Sequence, residues 1–372
     1  MSAYLTPIIT AIVIFPILAA LAVVPYALHQ YRRFGSISKL KLLIFFSFCF
    51  YLLCAYFLVI LPLPDRAAVA KLTTARYNLV PFTAARYFLK TTVLRLTVPA
   101  TYVAALKQSG FIQPFFNLML TLPFGLYLRY IWHVSFKKAL IASFCLSLFF
   151  ELTQLSGLYF IYPRSYRLFD VDDLILNTSG GLIGFASEPV FAKIFPSIEQ
   201  LNQDAASERL VASFWRRFLA LLIDLFIFNL VSDMITTCSH QLSNQNYGIY
   251  LVEVLIYFVA IPYFWQGGTL GKHLVKIRMV GVDEQRLGLL PLLFRQFLLF
   301  GVMLGNVRFL IPSLLQWISD AKSQHVLAFY FTGLAICGAF LLLCALNTLV
   351  LLLKKNSRMF YERVTKSHEI GY

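Results

Sequence analysis

The feature that most restricts this chain is a series of uninterrupted apolar runs, each as long as a helix needs to be to cross a hydrocarbon layer. A bilayer core about 30 Å thick takes about 20 helical residues at 1.5 Å each. Runs at 5–28, 41–61, 113–132, 138–157, 174–195, 215–236, 249–266, 289–312 and 326–353 meet that length. The chain is 59% hydrophobic and 13% charged, too little polar surface to cover such runs in water. The sequence therefore predicts an all-α fold: a polytopic transmembrane helical bundle of about nine membrane-spanning helices, with the lipid bilayer as its surroundings. No basic segment precedes the first run and no small-residue cleavage site follows it, so it is expected to be a retained span.

Basic residues outnumber acidic ones, giving a formal net charge of +15. They sit in short clusters beside apolar runs and form no basic stripe, so nucleic acid is not an expected partner. Cys49, Cys54, Cys145, Cys337 and Cys344 fall inside apolar runs, where thiols pack as small hydrophobes, while Cys238 is placed in a loop. This spacing calls for no disulfide framework, no metal site and no cofactor.

The clearest change of composition is the polar stretch 197–207, with Glu199, Gln200, Asn202, Gln203, Asp204 and Ser207. It divides the chain into a module at 1–196, a polar linker at 197–209 and a module at 210–372. The bias of Lys and Arg toward cytoplasmic loops sets the orientation. Clusters at Arg32, Arg33, Lys39 and Lys41, at Lys137 and Lys138, at Arg209, Arg216 and Arg217, at Lys272, Lys276 and Arg278, and at Lys354, Lys355 and Arg358 all fall on one side if the N-terminus is outside and the C-terminus cytoplasmic. The loop from Thr237 to Gly248 contains no Lys or Arg, which suits the outer side. Residues 62–112 conflict with this map: they should be external, yet carry Arg66, Lys71, Arg76, Arg86, Lys90, Arg95 and Lys107 against Asp65. We read the apolar part, 91–107, as lying on the membrane, because Arg95 is costly at the bilayer centre and a tenth span would invert every later cluster.

The segment from Glu151 to Gly184 is the most informative. Glu151 and Gln154 share a helix face at the end of the fourth span, and Asp173 and Asn177 share one at the start of the fifth. The short connection between them carries Arg164, Arg167, Asp170 and Asp172 and should bring the two faces together at the outer surface. Asp172 or Asp173 could equally be an N-cap, and Arg167 could pair with Asp170. Taken as a group, clustered ionisable residues at a membrane edge point to a site, and Glu151, Gln154, Arg167, Asp170, Asp172, Asp173 and Asn177 are its candidate ligand-binding residues. Gly180, Gly181 and Gly184 supply a small-residue surface for close helix contact.

The pattern Glu151-x-x-Gln154, Arg167-x-x-Asp170-x-Asp172-Asp173 and Asn177-Thr178-x-Gly180-Gly181, with Gly184, resembles the VanZ-like family. Asn78-Leu79-Val80-Pro81-Phe82, Asn117 and Leu122-Pro123-Phe124-Gly125 match that family's other marks in order, and the resemblance covers about residues 10 to 195. It implies a membrane protein of the bacterial cell envelope with a part in glycopeptide (teicoplanin-type) tolerance and no settled mechanism.

In the second module, Asp224 lies two helical turns beyond Arg217, inside an apolar run, where a carboxylate needs a partner or hydration. Arg217 or a residue on a neighbouring helix is the expected partner, and an ion or proton site at Arg217 and Asp224 weighs evenly against a buried polar contact. Gly267-Gly268-Thr269-Leu270-Gly271-Lys272 lacks the phosphate-loop spacing, which needs Gly where Gln266 stands and Ser or Thr where His273 stands. It reads as a tight cytoplasmic turn, with Lys272, Lys276 and Arg278 near anionic headgroups. Arg216-Arg217, Asp224, this turn and Ile277-Arg278-Met279-Val280 are similar to the RDD family over about residues 210 to 368, with Asp283 or Glu362 as the second acid. That resemblance implies monovalent cation/proton exchange in some members.

Two functions thus compete: an envelope role, in which the outward cluster binds a cell-wall precursor or glycopeptide, and exchange of cations for protons through the second module. A scaffold for unknown partner membrane proteins is a third reading. No established catalytic motif is present, so catalytic residues are unassigned and the chain reads as a non-enzyme of the bacterial inner membrane.

Overall fold

The computed structural model describes residues 2–239, 247–321, 323–353 and 358–372. It is an all-α chain with two small two-stranded sheets. Contacts divide it into two compact units, one comprising Met1–Val23 and Ser38–Asn202, the other Val24–Ile37 and Gln203–Tyr372. Eight helices among the described residues are long and apolar enough to cross a membrane. They are α1 (Ser2–Phe34), α2 (Lys39–Ile60), α3 (Ser109–Trp132), α4 (Phe136–Leu155), α7 (Phe214–Ser239), α8 (Tyr247–Phe264), α9 (Leu289–Asp320) and α10 (Gln324–Leu353). The remaining expected span, 174–195, is the 21-residue helix α5 (Val171–Phe191). Its length suits a crossing, but Asp172, Asp173, Asn177 and Glu188 make it less apolar than the others.

In the first unit, α5 is gripped on two sides. A side-chain carbon at Gly180 or Gly184 would collide with the carbonyl of Leu118 or Leu122 on α3, and one at Gly125 on α3 with the carbonyl of Gly181. Gly181 likewise sits against Ser143 on α4. Only residues without Cβ allow backbones this close, where packing rather than hydrophobicity drives association in lipid.

Between α2 and α3 no helix exceeds the nine residues of Thr83–Thr91, about 13 Å long, so nothing there can cross the bilayer. Residues 92–98 are non-helical, and Leu89 and Leu96 are 74% and 81% exposed beside Arg86 and Lys90.

Most of the polar stretch after α5 is helical. Ser197 and Gln200 form a reciprocal capping box, with Gln200 N donating to Ser197 Oγ (3.2 Å) and Ser197 N to Gln200 Oε1 (2.9 Å). The box opens helix α6 (Ile198–Ser207), whose Ile198 and Leu201 pack with Ile44 and Tyr130.

The second unit is built on an aromatic core of Phe228, Tyr250, Tyr257, Phe258 and Phe300 from α7, α8 and α9. The stretches Leu255–Ala260 and Phe297–Leu304 are π-helical, and the rings of Phe258 and Phe300 stack there at 3.8 Å. Cys238 lies within α7, whose helix extends beyond the apolar run to Ser239, and not in a loop. Most of the Thr237 to Gly248 loop lies outside the described residues. At the chain's end, short helix α11 (Phe360–Val364) leads into a strand at His368–Gly371, which pairs antiparallel with Ile277–Val280.

Candidate functional site

The first unit's candidate residues meet where α5 begins. Strand β1 (Tyr77–Asn78) pairs in parallel with β2 (Phe169–Asp170), so Asn78 lies opposite Asp170. Asp170 caps α5: its Oδ1 accepts from Asp172 N (2.9 Å) and from Asn78 Nδ2 (3.1 Å). The cap is therefore neither Asp172 nor Asp173. The same residue's backbone N–H donates to Glu151 Oε2 at 3.0 Å, which ties the α4 carboxylate to the start of α5.

Asp172 has a different task. It is buried, and its two oxygens accept from Phe82 N (2.5 Å) and Ala84 N (2.7 Å). These are orphan donors at the start of helix Thr83–Thr91, which follows Phe82 in a left-handed conformation (φ 62°) and has no cap from its own sequence. Asp172 thus caps a helix about 90 positions away. Both oxygens are used, which removes it from the set free to meet a ligand.

Asp173 turns the other way. Asn117 Nδ2 on α3 donates to Asp173 Oδ1, and Ser147 Oγ on α4 donates to its backbone carbonyl (3.3 Å). Glu151 is 2% exposed, and Asp170, Asp173 and Arg167 all lie close enough to act on it electrostatically. The second oxygens of Glu151 and Asp173 receive no hydrogen bond from the described residues. Arg167 forms no ion pair with Asp170; its Nη2 donates to Leu61 O at 2.8 Å. Gln154 is directed away from the acids and donates to Val59 O on α2 (3.1 Å). Asn177 is buried deeper along α5, where its backbone carbonyl accepts from Thr121 Oγ1 and its side-chain Oδ1 has no partner among the described residues.

The arrangement therefore brings Glu151, Asp170, Asp173 and Arg167 together, adds Asn117 and Asn78, and assigns Gln154 and Asp172 to holding neighbouring segments. Asn117 was detectable in the sequence as a polar residue in an apolar run. Its pairing with Asp173 was not, because the contact joins positions 56 apart.

In the second unit Asp224 and Arg217 separate. Asp224, 1% exposed, accepts from Tyr257 OH (3.0 Å), Thr269 Oγ1 (2.5 Å) and Gly271 N (2.7 Å). The glycine turn is thus a latch onto α7: Thr269 caps Leu270–Leu274, and a side chain at Gly271 would strike Ala220 O and the Asp224 carboxyl. Arg216 is fully buried and spends its guanidinium on backbone carbonyls, including Val275 (2.7 Å) and Arg209 (2.8 Å). Arg217 pairs with Glu362 at 3.1 Å, and Glu362 also takes Arg295 at 3.1 Å. Arg295 bridges to Glu369 at 3.0 Å, and Lys272 closes on Glu369 at 2.7 Å instead of reaching toward headgroups. Asp283 lies exposed in a surface turn, so of the two candidate second acids Glu362 is the one that meets an Arg. Glu369 stands outside the spans: burial would raise its pKa, but Lys272, Arg295 and Arg217 outweigh that and hold it down at about 2.

Comparison with known families follows the same two-part division. The model of the VanZ/LLP1 family matches residues 48–192, and that of the RDD family matches residues 211–365. No curated protein and no solved structure matches the chain.

Proposed function

We propose that this multi-pass membrane protein of the cell envelope uses its VanZ-like half to bind a polar group of a cell-wall precursor or glycopeptide at the outer face of the bacterial inner membrane. One observation carries the reading: among the described residues, Glu151 and Asp173, fixed by Asp170 N and Asn117, each keep an oxygen that nothing fills, and Arg167 beside them forms no ion pair. Hydrogen-bonding capacity held open at a membrane edge is costly unless a ligand or water completes it. Free carboxylate oxygens accept from amide, hydroxyl or ammonium donors, and a guanidinium takes a carboxylate or phosphate. Cell-wall precursors and glycopeptides carry both kinds of group. The proposal assumes an N-terminus outside, which places the start of α5 at the outer surface.

The test is teicoplanin tolerance in a deletion strain complemented with Glu151→Gln or Asp173→Asn at expression equal to wild type. Tolerance should fall to the level of the deletion in both. Wild-type tolerance in both would remove the basis of the reading.

A second reading, exchange of monovalent cations for protons through the RDD half, rests on the acid within α7. Asp224 is a fixed latch with three donors, which favours the first reading. Cation-dependent proton flux in vesicles that disappears in Asp224→Asn would reverse that order.

A further inference from the structure

The charge network of the second unit borders a cavity of 210 Å³ lined by Leu210, Arg217, Arg358, His368, Glu369 and neighbouring backbone. Its volume is below the roughly 300 Å³ at which pockets for drug-sized molecules begin, so it suits a small group. Around it, Glu362 takes Arg217 and Arg295, Glu369 takes Lys272 and Arg295, and Arg358 and Glu284 act electrostatically on His368. Arg358 is exposed and forms no ion pair among the described residues.

Two further atoms narrow the chemistry. Glu369 has a side chain only 5% exposed, and although its Oε1 takes Lys272 and Arg295, its buried Oε2 has no partner among the described residues. The buried Nδ1 of His368 has none among them either. A cation would satisfy Glu369 but would face Arg217 and Arg358. A fully deprotonated anion would satisfy the arginines but meet Glu369 Oε2 without a hydrogen to offer. A phosphate that keeps one O–H resolves both: its oxygens accept from Arg358, Arg217 and His368, and its hydroxyl donates to Glu369 Oε2. Burial first, and Arg358 beside it, hold His368 below its ordinary pKa.

We infer that this cavity binds a monoprotonated phosphate group, either free inorganic phosphate or the phosphomonoester of a lipid headgroup. The site does not depend on the envelope reading, since it uses none of the same residues.

The test uses the full chain in detergent micelles at pH 7.5, with binding of radiolabelled inorganic phosphate measured by dialysis. Saturable binding is expected, with unlabelled sulfate, which has no O–H at this pH, competing poorly. Arg358→Gln, an exposed position, should weaken binding about tenfold with no change in the ligand-free unfolding midpoint. Failure to bind phosphate, equal competition by sulfate, or unchanged affinity in Arg358→Gln would overturn the site. In nanodiscs, displacement of phosphate by phosphatidic acid but not by phosphatidylglycerol assigns the group to a headgroup, and no displacement by either assigns it to the soluble anion. Both outcomes support a site for a monoprotonated phosphate group, whereas equal displacement by the two lipids contradicts it.

Discussion

The two polar clusters of this protein handle buried charge in opposite ways. In the second unit, Glu362 and one oxygen of Glu369 are closed by Arg217, Arg295 and Lys272 at 2.7–3.1 Å, and Ser367 fills a further Arg295 donor at 2.6 Å, while the other Glu369 oxygen stays at the cavity described above. In the first, Glu151, Asp170 and Asp173 gather beside a single arginine that pairs with none of them. A closed network fixes the ends of helices and strands; an open one leaves capacity for something outside the chain. The difference separates ion pairs that hold a unit together from groups left able to bind, and it can be broken from either side.

The largest effect is expected from opening the closed network. Arg295→Ala strands Glu362 and part of Glu369, and should cost about 3–5 kcal/mol in unfolding experiments in micelles. A loss under 1 kcal/mol would mean that these ion pairs do not hold the unit together. The second expected effect separates packing from charge in the first unit. Gly184→Leu would drive a side chain into Leu122 O, and a cost of about 1–3 kcal/mol together with weakened α3–α5 crosslinking of introduced cysteines should follow. The third is a pH effect. Because Glu369 is held at about 2 against an ordinary 4.5, its contribution is complete above pH 4.5 and is lost as pH falls from there toward 2. An acid unfolding profile should show that loss in the wild type and a smaller one in Glu369→Gln. The smallest effect is expected at the open cluster: Asp173→Asn keeps an acceptor for Asn117 and relieves repulsion from Asp170, so stability should change by less than about 1 kcal/mol.

Much of the fold could be read from apolar run length, since a span is a local property. The fifth span was visible in outline, although its three acids and Asn177 make it a helix held by neighbours more than by lipid. The capping box at Ser197 and Gln200 is also local and announces α6, but the surrounding polar composition suggested a linker. The clusters were less legible because their meaning depends on return paths of the chain. Asp172 reads as a cap for its own helix until β1 carries Phe82 and Ala84 back to it. Arg217 and Asp224 share a helix face, yet Glu362, 145 positions on, takes the arginine while the glycine turn takes the acid. Spacing along one helix reports which residues could meet, and tertiary packing decides which do.

The contrast is tested most directly by comparing Glu151→Gln with Glu362→Gln in one unfolding assay. Glutamine keeps Glu151's acceptor for Asp170 N but removes the charge that Arg217 and Arg295 share at Glu362. The account predicts a loss of several kcal/mol for Glu362→Gln, about 3–5, and less than about 1 for Glu151→Gln. Equal losses in the two variants would show that the cluster at the start of α5 is as structural as the other, and would contradict the account.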